Sequence, residues 1–120
     1  MDTMKPDRQW REDWQVGENP SREIQIAEDL LKIFDGFWAF QSLDDKSKTT
    51  KSRYADALHA LGGYLVEKSV LDEDDLTKTT DDLLAAYLGP DEGPLIHFDN
   101  EKWQSEIDMV CRKLYRFINR

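Results

Sequence analysis

The stretch Asn19–Phe40, NPSREIQIAEDLLKIFDGFWAF, decides the fold. Asn19 or Ser21 can cap a helix, and Pro20 suits its first turn because its missing N–H would be unsatisfied there anyway. Apolar residues follow at Ile24, Ala27, Leu30, Leu31, Phe34, Phe37 and Trp38, at the three- and four-residue intervals of one helix face. Ile26, Ile33 and Phe40 widen that face until the apolar arc spans roughly 200°. Glu28, Lys32 and Asp35 hold the remaining side. A helix on the outside of a bundle needs little more than half that arc. This one is expected either to sit centrally, touching neighbours on two sides, or to carry an exposed aromatic patch.

Reading outward, Ser42–Thr50 is polar and loop-like. A second helix is expected from about Thr50 to Lys68, with Tyr54, Ala57, Leu58, Leu61, Tyr64 and Leu65 as its stripe. Ala55 and Gly62 beside that stripe are small enough for another helix to come close. Gly62 and Gly63 each cost about 1 kcal/mol relative to alanine, which implies close packing or a kink. A third helix is expected after Asp72, where Asp72 and Asp75 resemble a capping box. Leu76, Thr80, Leu83, Leu84, Tyr87 and Leu88 share its face, and Gly89-Pro90 would end it through a left-handed cap. Pro94–Phe98 would lie extended across the bundle. A fourth helix starts at Asp99, with Phe98 and Trp103 at the two staple positions, and continues through Ile107, Val110, Cys111, Leu114 and Ile118.

The expected architecture is therefore an all-α, four-helix bundle-like single domain over residues 19–120, with a flexible arm over residues 1–18. Trp10 and Trp14 lie four apart in that arm and would share one side of a helical turn. They are expected to dock on the body or to serve a partner.

The composition narrows the function. With 16 basic and 25 acidic residues the net charge is 16 − 25 = −9, which favours basic partners and repels a phosphate backbone unless cations gather in one place. The one cysteine, Cys111, allows no intrachain disulfide, so a reducing setting is the simplest inference. No window approaches the roughly 18–20 apolar residues of a membrane span, and the polar start does not read as a signal peptide. A cytoplasmic protein without membrane contact is expected.

Catalytic chemistry finds no constellation. Cys111, His59 and His97 are isolated, with no spacing of a zinc site. A calcium loop starting at Asp72 would need glycine at its sixth position and glutamate at its twelfth; Thr77 and Leu83 stand there. No G-x-S-x-G turn occurs, and Cys111 lies in a core stripe where a thiol stays protonated. Asp56-x-x-His59 is the nearest approach to the Glu-x-x-His pairs of di-metal bundles, and it stands alone. No enzyme activity and no cofactor are expected.

Two surfaces are candidates. The first is aromatic: Ile33, Phe37 and Phe40 share one edge of the Asn19–Phe40 helix, and with Trp10 and Trp14 they would bind a protein partner or a second copy. The second is basic: Lys46, Lys48, Lys51 and Arg53 crowd the start of the second helix, against the helix dipole, and Arg112, Lys113, Arg116 and Arg120 crowd the end of the fourth, where cations suit it. In an antiparallel bundle the two clusters would meet and could take nucleic acid. The run Ser47-Lys48-Thr49-Thr50-Lys51-Ser52-Arg53-Tyr54, continuing through Leu58 and Leu61 to Leu65, resembles the second helix of the core-binding domains of tyrosine recombinases. The resemblance implies a small helical domain gripping DNA, with Lys48, Lys51 and Arg53 on phosphates. It covers about a quarter of the chain. The rest departs from that family, being acidic and carrying no recombinase catalytic domain.

Overall fold

Each helix begins on a side chain suited to its unsatisfied N–H groups. Asp7 accepts from the Gln9 amide at 2.8 Å, Asn19 from Arg22 at 3.3 Å, Ser47 from Thr50 at 3.2 Å, Thr79 from Asp82 at 3.1 Å and Asn100 from Trp103 at 3.1 Å. The computed structural model describes residues 5–120, and among them these caps open five helices: α1 (Arg8–Asp13), α2 (Pro20–Phe40), α3 (Lys48–Leu71), α4 (Thr80–Tyr87) and α5 (Glu101–Ile118). Single 3-10 turns stand at Leu43–Asp45 and Glu73–Asp75, and the described residues form no strand. The chain is all-helical, as its periodicity predicts. No helix among the described residues is long and apolar enough to cross a membrane.

The wide apolar arc of α2 is explained by position, since α2 touches every other helix. It buries Ile26, Ala27, Leu30, Phe34, Phe37 and Trp38. Against it pack Leu58, Leu61 and Leu65 of α3, Leu83 and Leu84 of α4, and Ile107, Val110 and Leu114 of α5. At about 25 cal/mol per Å², each such fully buried side chain contributes roughly 1.5–3 kcal/mol. Five of the apolar residues that the sequence assigns to core stripes escape burial: Ile24, Phe40, Leu76, Trp103 and Ile118 are exposed.

From Arg8 the N-terminal segment is a layer packed on α2; residues 1–4 of the expected arm lie outside the described residues. Trp10 and Trp14 are both buried in the core cluster, with ring centroids 5.8 Å apart. Trp14 donates from Nε1 to the His59 carbonyl at 2.9 Å, and Asp13 meets His59 Nε2 at 3.0 Å. The neighbour for which Gly62 leaves room is the Trp14 indole: a Cβ at position 62 would stand 2.1 Å from it.

Two adjacent residues of α2 fix the connections around it. Glu23 is fully buried and accepts from the amides of Val16, Gly17, Glu18 and Asn19, the last three at 3.0, 2.9 and 2.7 Å and Val16 at 2.5 Å. Burial alone would raise the pKa of this carboxyl; the four backbone donors more than offset that and hold it below the ordinary value. Arg22 donates to the carbonyls of Ser69 at 2.8 Å, Asp75 at 3.0 Å and Lys78 at 2.8 Å.

This grip explains where the third helix departs from expectation. It starts at Thr80, capped by Thr79, and not after Asp72. Asp72 instead accepts from the Asp74 amide at 3.0 Å and shapes a 3-10 turn. Asp75 faces inward, where it meets the Tyr87 hydroxyl and, at 2.8 Å, the Lys78 ammonium. Burial raises the Asp75 pKa, but Lys78 and Tyr87 outweigh it and the net shift is downward. Leu76 is left outside the helix and exposed. Gly89 is not left-handed: α4 ends because Leu88 is extended, with the Gly89 amide on the Glu92 carbonyl at 2.9 Å. The cap of α5 is Asn100, one residue later than expected.

Candidate interaction surface

The segment joining α4 to α5 is held by two polar residues of α5 four apart, Gln104 and Asp108. Gln104 Oε1 accepts from the amides of Ile96 and His97, each at 2.9 Å, while its Nε2 donates to the Pro94 carbonyl at 2.9 Å and to Asp108 Oδ1 at 3.0 Å. Asp108 also accepts from the Gly93 amide at 3.2 Å. Gly93 must be glycine here because a Cβ would lie 2.4 Å from Cys111 Sγ. Pro94 is buried and Ile96 partly so.

With the backbone fixed in that way, the residues between and after the anchors are left outside. Leu95 is 55% exposed and Phe98 81% exposed. Trp103, the first member of the α5 stripe, is 58% exposed, and its ring meets His97 edge-on at 5.3 Å. The staple between Phe98 and Trp103 does not form, because the cap at Asn100 moves both off the staple positions. The result is an exposed apolar ledge on a connection whose backbone from Gly93 to His97 is tied to α5. Beside Phe98 and Trp103 in sequence stand the exposed carboxylates Asp99 and Glu101, neither with an ion-pair partner among the described residues, and one lysine, Lys102. Asp91 and Glu92 lie further along the connection, where the Asp91 carbonyl meets Arg112 and the Glu92 carbonyl meets the Gly89 amide.

The opposite end of α5 carries the second feature. Phe40, 57% exposed, lies 5.2 Å from Phe117, and Arg120 sits over both rings at 5.5 and 4.1 Å. Phe40, Gln41, Lys113 and Arg116 line a shallow groove of about 240 Å³. Lys113 lies over the Tyr54 ring at 5.9 Å, which makes the basic end of α5 a neighbour of the basic start of α3. Arg53 is turned away into a pair with Glu106 at 2.9 Å. Lys46 and Lys48 are exposed, Lys51 is half-buried, and Arg112 reaches the Asp91 carbonyl at 3.4 Å.

Of the aromatic edge expected to meet a partner, Phe40 alone is open. Phe37, Trp10 and Trp14 are buried in the chain's own core and offer no surface, a correction that follows from α1 covering α2 and from Phe117 packing on Phe37 at 5.8 Å. Ile33 is half-buried beside a shallow depression of about 330 Å³ that Asp29, Lys32 and Thr79–Asp81 also line. The ledge at Leu95, Phe98 and Trp103 was not the surface that sequence reasoning singled out. Its signal was the apolar run Pro94–Phe98 in a connection, followed by an amide and a carboxylate at helical spacing.

Reactive side chains are spread apart. Cys111 is buried, and that burial pushes its thiol up to about 12. His59 is engaged by Asp13 and His97 by Trp103. Among the described residues no three His, Cys, Asp or Glu side chains gather as a metal set would require. No protein-family model, curated protein or solved structure matches the chain.

Proposed function

We propose that this chain is a non-catalytic helical interaction module that binds another protein surface through the ledge formed by Leu95, Phe98 and Trp103. The observation that carries the reading is that Phe98 and Trp103 stay exposed although the connection just before them is tied down by Gln104 and Asp108. Aromatic side chains next to a fixed backbone lose less entropy on binding than those on a loose one, and aromatic anchors dominate interface energetics. The unpaired carboxylates Asp99 and Glu101 beside Phe98 and Trp103 suit a partner that presents cations. A single buried thiol suits a reducing, cytoplasmic setting.

The test is a photo-crosslinking phenylalanine analogue in place of Phe98, irradiated in cells of the source. A discrete protein adduct at position 98, absent when the analogue replaces the buried Phe34, supports the reading. No adduct under any condition rejects it.

A second reading, binding of nucleic acid, draws on the adjacency of Lys113 to the start of α3. It predicts retention on a nucleic-acid column that weakens steeply with salt and is lost when Lys48, Lys51 and Lys113 are neutralised together. Pairing of Arg53 with Glu106 removes one of its cations.

A further inference from the structure

The two ends of α5 carry surfaces of opposite charge and matching character. At the start stand Leu95, Phe98 and Trp103 with the unpaired carboxylates Asp99 and Glu101; at the end stand Phe40 and Phe117 among Lys113, Arg116 and Arg120. None of those three cations has a carboxylate partner among the described residues. The groove's aromatic floor and cationic rim are what an aromatic ledge with an acidic rim would seek. Trp103 and Phe117 are separated by fourteen residues of one continuous helix, roughly 21 Å at 1.5 Å per residue. A rigid helix keeps them apart, so the ledge cannot reach the groove of its own chain.

We propose that the occupant of the ledge is the Phe40–Lys113–Arg116 groove of a second copy of this chain. This deepens the interaction reading and rests on it. Phe98 and Trp103 of one copy lie against Phe40 and Phe117 of the other, while Asp99 and Glu101 face Lys113 and Arg116. Because the two surfaces differ, one contact joins copies head to tail; two copies with antiparallel α5 helices make the contact twice and close a dimer. The rim charges steer encounter and set register, and the aromatic contact supplies most of the affinity.

The experiment is sedimentation equilibrium of the full chain over a wide concentration range at low and high salt. The mass should rise above 14.1 kDa with concentration and fall back as salt screens the rims. Two surface variants follow: Asp99→Lys with Glu101→Lys, and Lys113→Glu with Arg116→Glu, each checked for native helicity by circular dichroism. Each alone should associate at least about tenfold more weakly, a loss of roughly 1.4 kcal/mol. Their equimolar mixture should recover association, since one variant keeps the groove and the other the ledge. A wild-type chain that is monomeric throughout, variants that associate as before, a mixture that stays monomeric, or a mass gain abolished by nuclease would each overturn the proposal. A monomeric chain that still crosslinks another protein through position 98 rejects self-docking and leaves the interaction reading standing.

Discussion

Trp14 lies across Gly62 so closely that a methyl group on that glycine would stand 2.1 Å from the indole Cζ2. A two-glycine step within a 24-residue helix looks like a weakness in sequence, and in the fold it is the notch that receives α1. The same indole donates to the His59 carbonyl one turn earlier on α3 and meets Phe34 of α2 edge-on at 6.2 Å. One side chain outside the main bundle therefore joins α1, α2 and α3.

Gly62→Ala is expected to destabilise the chain by about 1–2 kcal/mol, because overpacking costs roughly 1–3 kcal/mol and exceeds the helix propensity gained. Gly63→Ala, whose Cβ would sit 3.3 Å from the same indole, should cost less. Urea midpoints measure both. A red shift of tryptophan emission in Gly62→Ala before global unfolding would show α1 leaving its seat.

Acid should weaken the fold through Glu23. Its folded pKa lies below the ordinary 4.5, so its contribution is fully present above that value and is lost as pH falls through the depressed folded value. Asp75, also depressed, acts in the same direction. Glu23→Gln removes the charge that gathers four amides and should cost about 1–3 kcal/mol at neutral pH. The gap between variant and wild type should close in acid, as read by thermal unfolding across a pH series. A constant gap would mean the charge is not what matters.

Arg22→Met keeps an apolar stem and removes the three guanidinium hydrogen bonds to the carbonyls of Ser69, Asp75 and Lys78. The Asp75 carbonyl keeps the Lys78 amide at 3.1 Å, so the loss falls on the Ser69 and Lys78 carbonyls and is expected to cost about 1–3 kcal/mol. Amide exchange should quicken first between residues 69 and 80, ahead of the α2–α3 contact.

Cys111 should resist alkylation in the folded chain at pH 8, since burial pushes its thiol up to about 12 and the thiolate is the reactive form. Labelling that appears only with denaturant is the expected result. Gly93→Ala, whose Cβ would press on Sγ, should expose the thiol and accelerate labelling.

Phe98→Ser should change stability by no more than about 0.5 kcal/mol, because the side chain is already in water, yet it should abolish the association seen by sedimentation. Gln104→Ala should leave α5 intact, release the Ile96 and His97 amides to exchange, and weaken association through loss of order in the ledge.

Helices are legible in this chain because their signals are local. The Asn19-Pro20 start, the stripe from Ile26 to Trp38 and the stripe from Ile107 to Leu114 each lie within a few turns and needed no knowledge of neighbours. The reading failed where a distant partner decided. Asp72 and Asp75 look like a capping box until Arg22, some fifty residues earlier, claims the carbonyls there and Tyr87 claims Asp75. Phe37 and Phe40 look alike on one edge of α2, yet Phe117 and Tyr54 cover the first and leave much of the second bare.

The amino-acid order by itself determined that the chain is helical, that the apolar arc of α2 is wider than one neighbour would cover, and that Cys111 belongs to the interior, because period and side-chain chemistry suffice for those. Only the tertiary structure decided that the N-terminal tryptophans fill a glycine notch, that Phe98 and Trp103 face solvent, and that the basic ends of α3 and α5 adjoin. Exposure belongs to a side chain and whatever packs against it, and that neighbour is chosen by contacts far apart in the sequence.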